Sequence, residues 1–226
     1  MTFTLKNIVP WGRSFEEYVN MFDLNDGDLS KRILGCADGP ASFNAHATRQ
    51  GGTVVSCDPL YLFSSEEIEL RVKETYHEIM EQLSKNLAEY RWTHFKTPEE
   101  LGKYRLAAMR DFLDDYNNGK GEGRYKEASL PSLPFADRSF DLALCSHFLF
   151  LYTEHLTQEF HIAAVYELCR VASEVRIFPL LSLARKESSY LKAVIKNLTD
   201  SGYKIALKKV PYEFQKDAHT MLCISR

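Results

Sequence analysis

Short compact apolar runs alternate with stretches of helical period along this chain. The runs fall at 33–34, 53–57, 124–128, 142–145, 174–178, 204–210 and 221–225. Thr53-Val54-Val55-Ser56-Cys57 is β-branched throughout its centre, as suits a strand buried on both faces. Between the runs the period changes. Ser14-Phe15-Glu16-Glu17 is a capping box that opens a helix over 14–26, with Tyr18, Met21 and Phe22 on one side. Ser64-Ser65-Glu66-Glu67 opens a longer one with apolar positions 68, 72, 76, 79, 80, 83, 87 and 90. Thr97-Pro98-Glu99-Glu100 opens another, with Leu101, Tyr104, Ala108, Phe112 and Tyr116 inward. Two more helices are expected at 157–170 and 187–201, the second closed by Gly202. Strands alternating with helices predict an α/β domain: a doubly wound, mostly parallel, seven-stranded sheet with one strand antiparallel. An N-terminal helix precedes the sheet. The helical pair over 64–118 exceeds the single crossover that two parallel strands need, and is an insertion after the second strand.

The stretch from Arg32 to Asp58 organises the rest. It reads as strand, small-residue loop, helix, second strand and terminal acid. Ile33 and Leu34 reach the tip of the first strand, and Gly35-Cys36-Ala37-Asp38-Gly39 turns the chain. Pro40 suits a first helical turn, where its missing N–H is not needed, and Gly51-Gly52 stops the helix. In a parallel sheet, ligands sit beyond the carboxyl ends of the strands where the order reverses. An acid there can accept hydrogen bonds from both hydroxyls of a ribose, and Asp58 lies 19 positions after Gly39. The loop lacks the G-x-G-x-x-G spacing that seats a pyrophosphate on a helix N-terminus. A nucleoside other than a dinucleotide is therefore expected.

With its outer glycines Gly35 and Gly39, this loop resembles motif I of the class I S-adenosylmethionine-dependent methyltransferases, acid-x-G-x-G-x-G. Ala37 replaces the middle glycine, and Ile33 stands where the acid normally lies. A second segment, Leu133-Pro134-Phe135-Ala136-Asp137-Arg138-Ser139-Phe140-Asp141, resembles that family's connection between third and fourth strands. The resemblance implies a Rossmann-like methyltransferase fold and S-adenosylmethionine as cofactor, with S-adenosylhomocysteine as product. It places Gly35, Cys36, Ala37, Gly39, Asp58 and Pro59 around the cofactor, with Ser129 and Leu130 beside the adenine and Ser146 at the tip of the fourth strand. Arg13 and Tyr18 of the N-terminal region are further ligand candidates, Arg13 by pairing with a carboxylate. His147 is the candidate general base, with a pKa suited to neutral pH. Phe148, Phe150 and Tyr152 form either an aromatic wall for a sulfonium or part of the core.

Composition narrows the partners. The 226 residues suffice for one sizeable α/β domain, read as a single unit over 1–226. A net charge of −3 gives no footprint for nucleic acid, and a small-molecule acceptor is expected. No stretch approaches the roughly 18 apolar residues of a membrane span, and the N-terminus has no signal-peptide core. Cys36, Cys57, Cys145, Cys169 and Cys223 are far apart, with neither zinc-ligand nor disulfide spacing, which fits a reducing cytoplasm. The seven histidines are scattered, so no metal is expected. Two other functions share this plan: a protein that binds the cofactor without transferring methyl, and a nicotinamide-dependent oxidoreductase. The missing dinucleotide spacing counts against the latter. Oligomeric state does not follow from the sequence.

Overall fold

The computed structural model describes residues 9–226. Its element order is α1 (Phe15–Phe22), α2 (Asp26–Leu29), β1 (Arg32–Cys36), α3 (Phe43–Arg49), β2 (Thr53–Cys57), α4 (Ser65–Lys85), α5 (Pro98–Gly121), β3 (Tyr125–Lys126), β4 (Phe140–Ser146), α6 (Gln158–Val171), β5 (Ala172–Phe178), α7 (Leu191–Asp200), β6 (Lys204–Lys209) and β7 (Thr220–Ser225). Single 3₁₀ turns occupy Pro59–Leu62, Leu87–Glu89 and Phe150–Tyr152.

The seven strands form one sheet in the order β3-β2-β1-β4-β5-β7-β6. All neighbours are parallel except those of β7, which runs antiparallel to both β5 and β6. The order reverses between β1 and β4, and that is where the two halves of the sheet open a crevice. At the opposite edge, Arg32 donates from Nε and Nη2 to the two carboxylate oxygens of Asp141, pinning β1 to β4. One face of the sheet packs on α6 and α7 through Val165, Leu168, Val194 and Leu198; the other packs on α1 and α3 through Tyr18, Met21, Phe22 and Phe43.

Several boundaries differ from the sequence reading. The expected helix over 14–26 is two helices. Asp23 at φ +48 breaks the first, and Asn25 with Asp28 builds a second capping box that starts α2 rather than ending α1. Strand β1 continues through Gly35 to Cys36, because its ladder with β2 and β4 runs to the tip. Pro40 lies in the turn, and α3 starts only at Phe43. Strand β3 is cut to two residues that pair with Ser56 and Cys57, leaving Ala128 in a loop. Helix α7 starts four residues late, after a turn in which Ser188 bonds to Thr153.

Helices α4 and α5, of 21 and 24 residues, pack on each other. Ile68 and Val72 of α4 meet Met109, Phe112 and Tyr116 of α5 in a cluster with Tyr61 and Tyr125. Farther along, Ile79, Leu83 and Leu101 join Leu151, Tyr152 and Leu183. The pair thus leans over the strand tips rather than standing apart from them. Its connection is tied to the β6–β7 connection: the Arg91 amide donates to the Phe214 carbonyl, the Lys216 amide to the Glu89 carbonyl, and Tyr90 stacks on Phe214.

Candidate active site

Five parallel strands end on the same side. Cys57, Cys36 and Cys145 lie in one row across β2, β1 and β4 and form its floor. All three thiols are buried. The Cys36 thiol is pushed up by its hydrogen-bonded neighbour Cys57 and by burial, and burial pushes Cys145 up to about 12. All three pack into the floor, and neither Cys36 nor Cys145 is a thiolate.

Above this floor the chain turns sharply. Ala37 adopts φ +56 and Gly39 φ +53, so two left-handed residues flank Asp38. Asp38 is 7% exposed, and it organises the loop. Its Oδ1 accepts from the Tyr18 hydroxyl at 2.7 Å and its Oδ2 from the Ser56 hydroxyl at 2.6 Å. A Cβ on Gly35 would lie 1.8 Å from Asp38 Oδ2. The first glycine therefore makes room for a carboxylate of the protein, and Gly35 itself does not line the cavity. Burial raises the Asp38 carboxyl to about 6, against the pull of its two hydroxyl donors.

Asp58 follows β2. Its Oδ2 accepts from the Gly39 amide at 2.9 Å and its Oδ1 from the Leu60 amide at 2.8 Å, so the acid is locked to the glycine turn. Each oxygen keeps a second lone pair, and the side chain is half-buried beside the cavity.

The cavity, about 580 Å³, is lined by Cys36, Ala37, Gly39, Asp58, Pro59, Ser129, Leu130, Ser146, His147, Arg13 and Tyr18. Of the sequence-derived candidates only Gly35 stands behind its wall. Tyr18 presents its ring, while its hydroxyl is committed to Asp38. Phe148 and Tyr152 also line the cavity; Phe150 is fully buried core.

His147 differs from expectation. It adopts φ +51, its amide donates to the Phe178 carbonyl at 2.7 Å, and its Nδ1 lies 2.9 Å from Ser146 Oγ. Burial, then the charges of Arg13 and Arg105, hold its pKa well below the usual histidine range instead of near neutrality. The ring is neutral at pH 7 and a weak base.

Three side chains escaped the sequence reading. Asp38 sits inside the glycine turn, where its acid character was available as a signal. Arg105 of α5 is 1% exposed; its guanidinium lies 2.6 Å from Glu17 Oε1 and donates to the Gly12 carbonyl and the Tyr212 hydroxyl. A charged residue four positions after Leu101 falls on the apolar stripe of that helix, and that was its signal. Tyr212, which donates to Glu17 at 2.8 Å, carried none. Among the described residues no group of His, Cys, Asp and Glu could hold a metal ion.

An uncharacterised protein of Methanocaldococcus jannaschii is 36% identical over 224 residues, covering 98% of each chain. This chain belongs to its family. No family model matches the sequence. Among solved structures, an O-methyltransferase family protein from Burkholderia thailandensis superposes with TM-score 0.51 at 10% identity, over 93% of this chain and 55% of that one, so the chain spans about half of that protein. A SAM-dependent methyltransferase from Aquifex aeolicus gives TM-score 0.47 at 14% identity, covering 93% and 88%. The magnesium protoporphyrin IX methyltransferase of Synechocystis gives 0.45 at 16%, covering 89% and 73%. The chain shares the Rossmann-like fold of these methyltransferases.

Proposed function

We propose that this protein is an S-adenosylmethionine-dependent methyltransferase acting on a small-molecule acceptor. One observation carries the reading: Asp58, at the end of β2, is fixed by the Gly39 amide across the glycine turn and still turns free lone pairs to the cavity. That acid suits the two hydroxyls of a ribose. Ser129 and Leu130 border the adenine side, and Pro59 and Leu60 close the edge. Asp38 suits the ammonium group at the methionine end: a nearby cation would stabilise its ionised form, which burial alone disfavours. The family's usual acid at position 33 is replaced here by isoleucine, and Asp38 supplies a carboxylate from within the turn.

When bound, the cofactor would supply a methyl group on a sulfonium, open to in-line displacement by an acceptor lone pair with the carbon–sulfur pair going to sulfur. The chain's task is alignment and the exclusion of water. Ser146 and His147 stand at the tip of β4 next to this centre, and His147 serves as a neutral hydrogen-bonding group rather than as a base near pH 7. An acceptor that needs no deprotonation fits such a site.

Calorimetric titration of ligand-stripped protein with S-adenosylmethionine, S-adenosylhomocysteine and NAD tests the reading. The adenosyl ligands should bind at micromolar Kd and NAD should not. Asp58→Ala should weaken adenosyl binding by at least about tenfold, the loss of one or two charge-assisted hydrogen bonds. Absence of adenosyl binding would remove the reading, and binding without turnover on any acceptor would favour a cofactor-binding protein.

A further inference from the structure

The part of the cavity beside α4 and α5 is a chamber walled by apolar side chains. Ile79 and Leu83 of α4, Leu101 of α5, and Leu151, Leu156 and Phe160 after β4 line it. The insertion supplies half of those walls. Three guanidinium groups line the same cavity: Arg71, which stacks on Phe63 of the turn after β2, and the pair Arg13 and Arg105.

The two are not alike. Arg105 is answered by Glu17 at 2.6 Å. Arg13 gives one Nη1 hydrogen bond to the Trp11 carbonyl, and its Nε is buried without a partner. Among the described residues no carboxylate lies within ion-pair distance of it, and the segment 1–8, MTFTLKNI, contains no acidic side chain. Burial and the nearby Arg105 lower its pKa to about 10, so it stays charged at neutral pH. A half-buried cation with no counterion at hand is stabilised by a ligand that brings the opposite charge. Arg13 and Arg105 against Glu17 leave one positive charge at this end. That balance suits a monoanion better than a dianionic phosphate.

We propose that the chamber is the acceptor subsite and takes an amphipathic carboxylic acid, with the carboxylate on Arg13 and the apolar body among the leucines and Phe160. This assignment rests on the methyl-transfer reading above. A guanidinium meets a carboxylate through parallel charge-assisted hydrogen bonds, and the hydrocarbon walls favour an apolar body in proportion to the area they remove from water. The other source of a carboxylate is the methionine end of the cofactor. The charge of Arg13 is felt by His147, Tyr152 and Tyr212 and also by Tyr18, whose hydroxyl holds Asp38, and the titration below separates the two sources.

The test titrates the full chain first with S-adenosylhomocysteine, then titrates the saturated protein with octanoate, octanamide and octyl phosphate. Octanoate should bind roughly tenfold or more tighter than octanamide, the size of one charge-assisted contact, and tighter than octyl phosphate. Arg13→Gln should abolish the preference and leave S-adenosylhomocysteine affinity within about twofold, while Arg13→Lys should keep part of the preference as a point charge. Equal binding of octanoate and octanamide by the wild-type protein, which requires no variant to fold, would overturn the assignment while leaving the cofactor site standing. So would tighter binding of octyl phosphate. Loss of S-adenosylhomocysteine affinity in Arg13→Gln would give Arg13 to the cofactor's carboxylate and overturn the acceptor role. Failure of the wild-type protein to bind S-adenosylhomocysteine would overturn the methyl-transfer reading and this assignment together.

Discussion

Asp38 makes the stability of the ligand-free protein depend on pH. Its folded carboxyl is raised to about 6 from an ordinary 3.8, so the folded state holds its proton more tightly than the unfolded chain. The contribution is therefore fully present below about pH 4 and is lost as pH rises through about 6, up to about 3 kcal/mol over that window. Asp38→Asn, which stays neutral and can still accept from Tyr18, should flatten the dependence: urea midpoints at pH 5 and pH 7.5 should converge relative to wild type. The same substitution should weaken S-adenosylhomocysteine binding if the acid meets an ammonium group. A residue that weakens the empty fold at neutral pH while facing a ligand position is a common sign of a functional site. The sequence displayed Asp38 but not its role. That role comes from Gly35 clearing space beside it and from Tyr18 and Ser56 arriving from α1 and β2. None of the three is adjacent in the chain.

At the scale of elements, α1 and α5 are joined by one buried pair. Glu17 closes the capping box by accepting from the Ser14 amide, and the same carboxylate is the counterion of Arg105 and the acceptor of Tyr212. Removing the cation alone leaves a buried carboxylate unanswered. Arg105→Met should cost about 3–5 kcal/mol in urea unfolding, and adding Glu17→Gln, which preserves the cap, should restore most of it. If the single and double variants lose equal stability, the pair does not join the helices. The capping boxes at Ser14 and Ser64 and the N-cap at Thr97 were legible because caps are local, set within four residues; the box expected at Thr97 does not close, since Glu100 accepts from the Lys96 amide instead. Helix α7 and strand β3 were displaced because their ends are decided by distant partners, Thr153 for the first and β2 for the second. The docking of α4 and α5 over the strand tips was not legible, since periodicity tells which face is apolar and not what covers it.

At the scale of the molecule, the sheet has one open side. Strand β6 is the outer strand of the 3-2-1-4-5-7-6 order, and its residues are mostly exposed, Leu207 at 53%. Lys204, Lys208 and Lys209 stand along this edge and oppose pairing with a second sheet. Replacing Lys204 and Lys208 by valine should produce concentration-dependent association in sedimentation velocity, with the wild-type protein unchanged over the same range. Equal sedimentation of both would assign protection of the edge to another feature. The seven strands, their mostly parallel direction and the acid-and-glycine corner were readable from the sequence because a parallel sheet imposes them through period and spacing. The apolar chamber was not, because its walls come from parts of the chain that meet only when folded.

The inserted helices bear on chain entropy. Arg32 and Asp141, facing each other on neighbouring central strands, are 109 positions apart, and α4 and α5 with their 21 and 24 residues account for much of that separation. Closing a loop becomes harder only with the logarithm of its length, so deleting both helices would ease the meeting of β1 and β4 by only about half a kcal/mol. The detour is nearly free. A chain can therefore lengthen, shorten or resculpt this crossover with little effect on sheet assembly, and the selection acting on it is left to whatever occupies the chamber beneath.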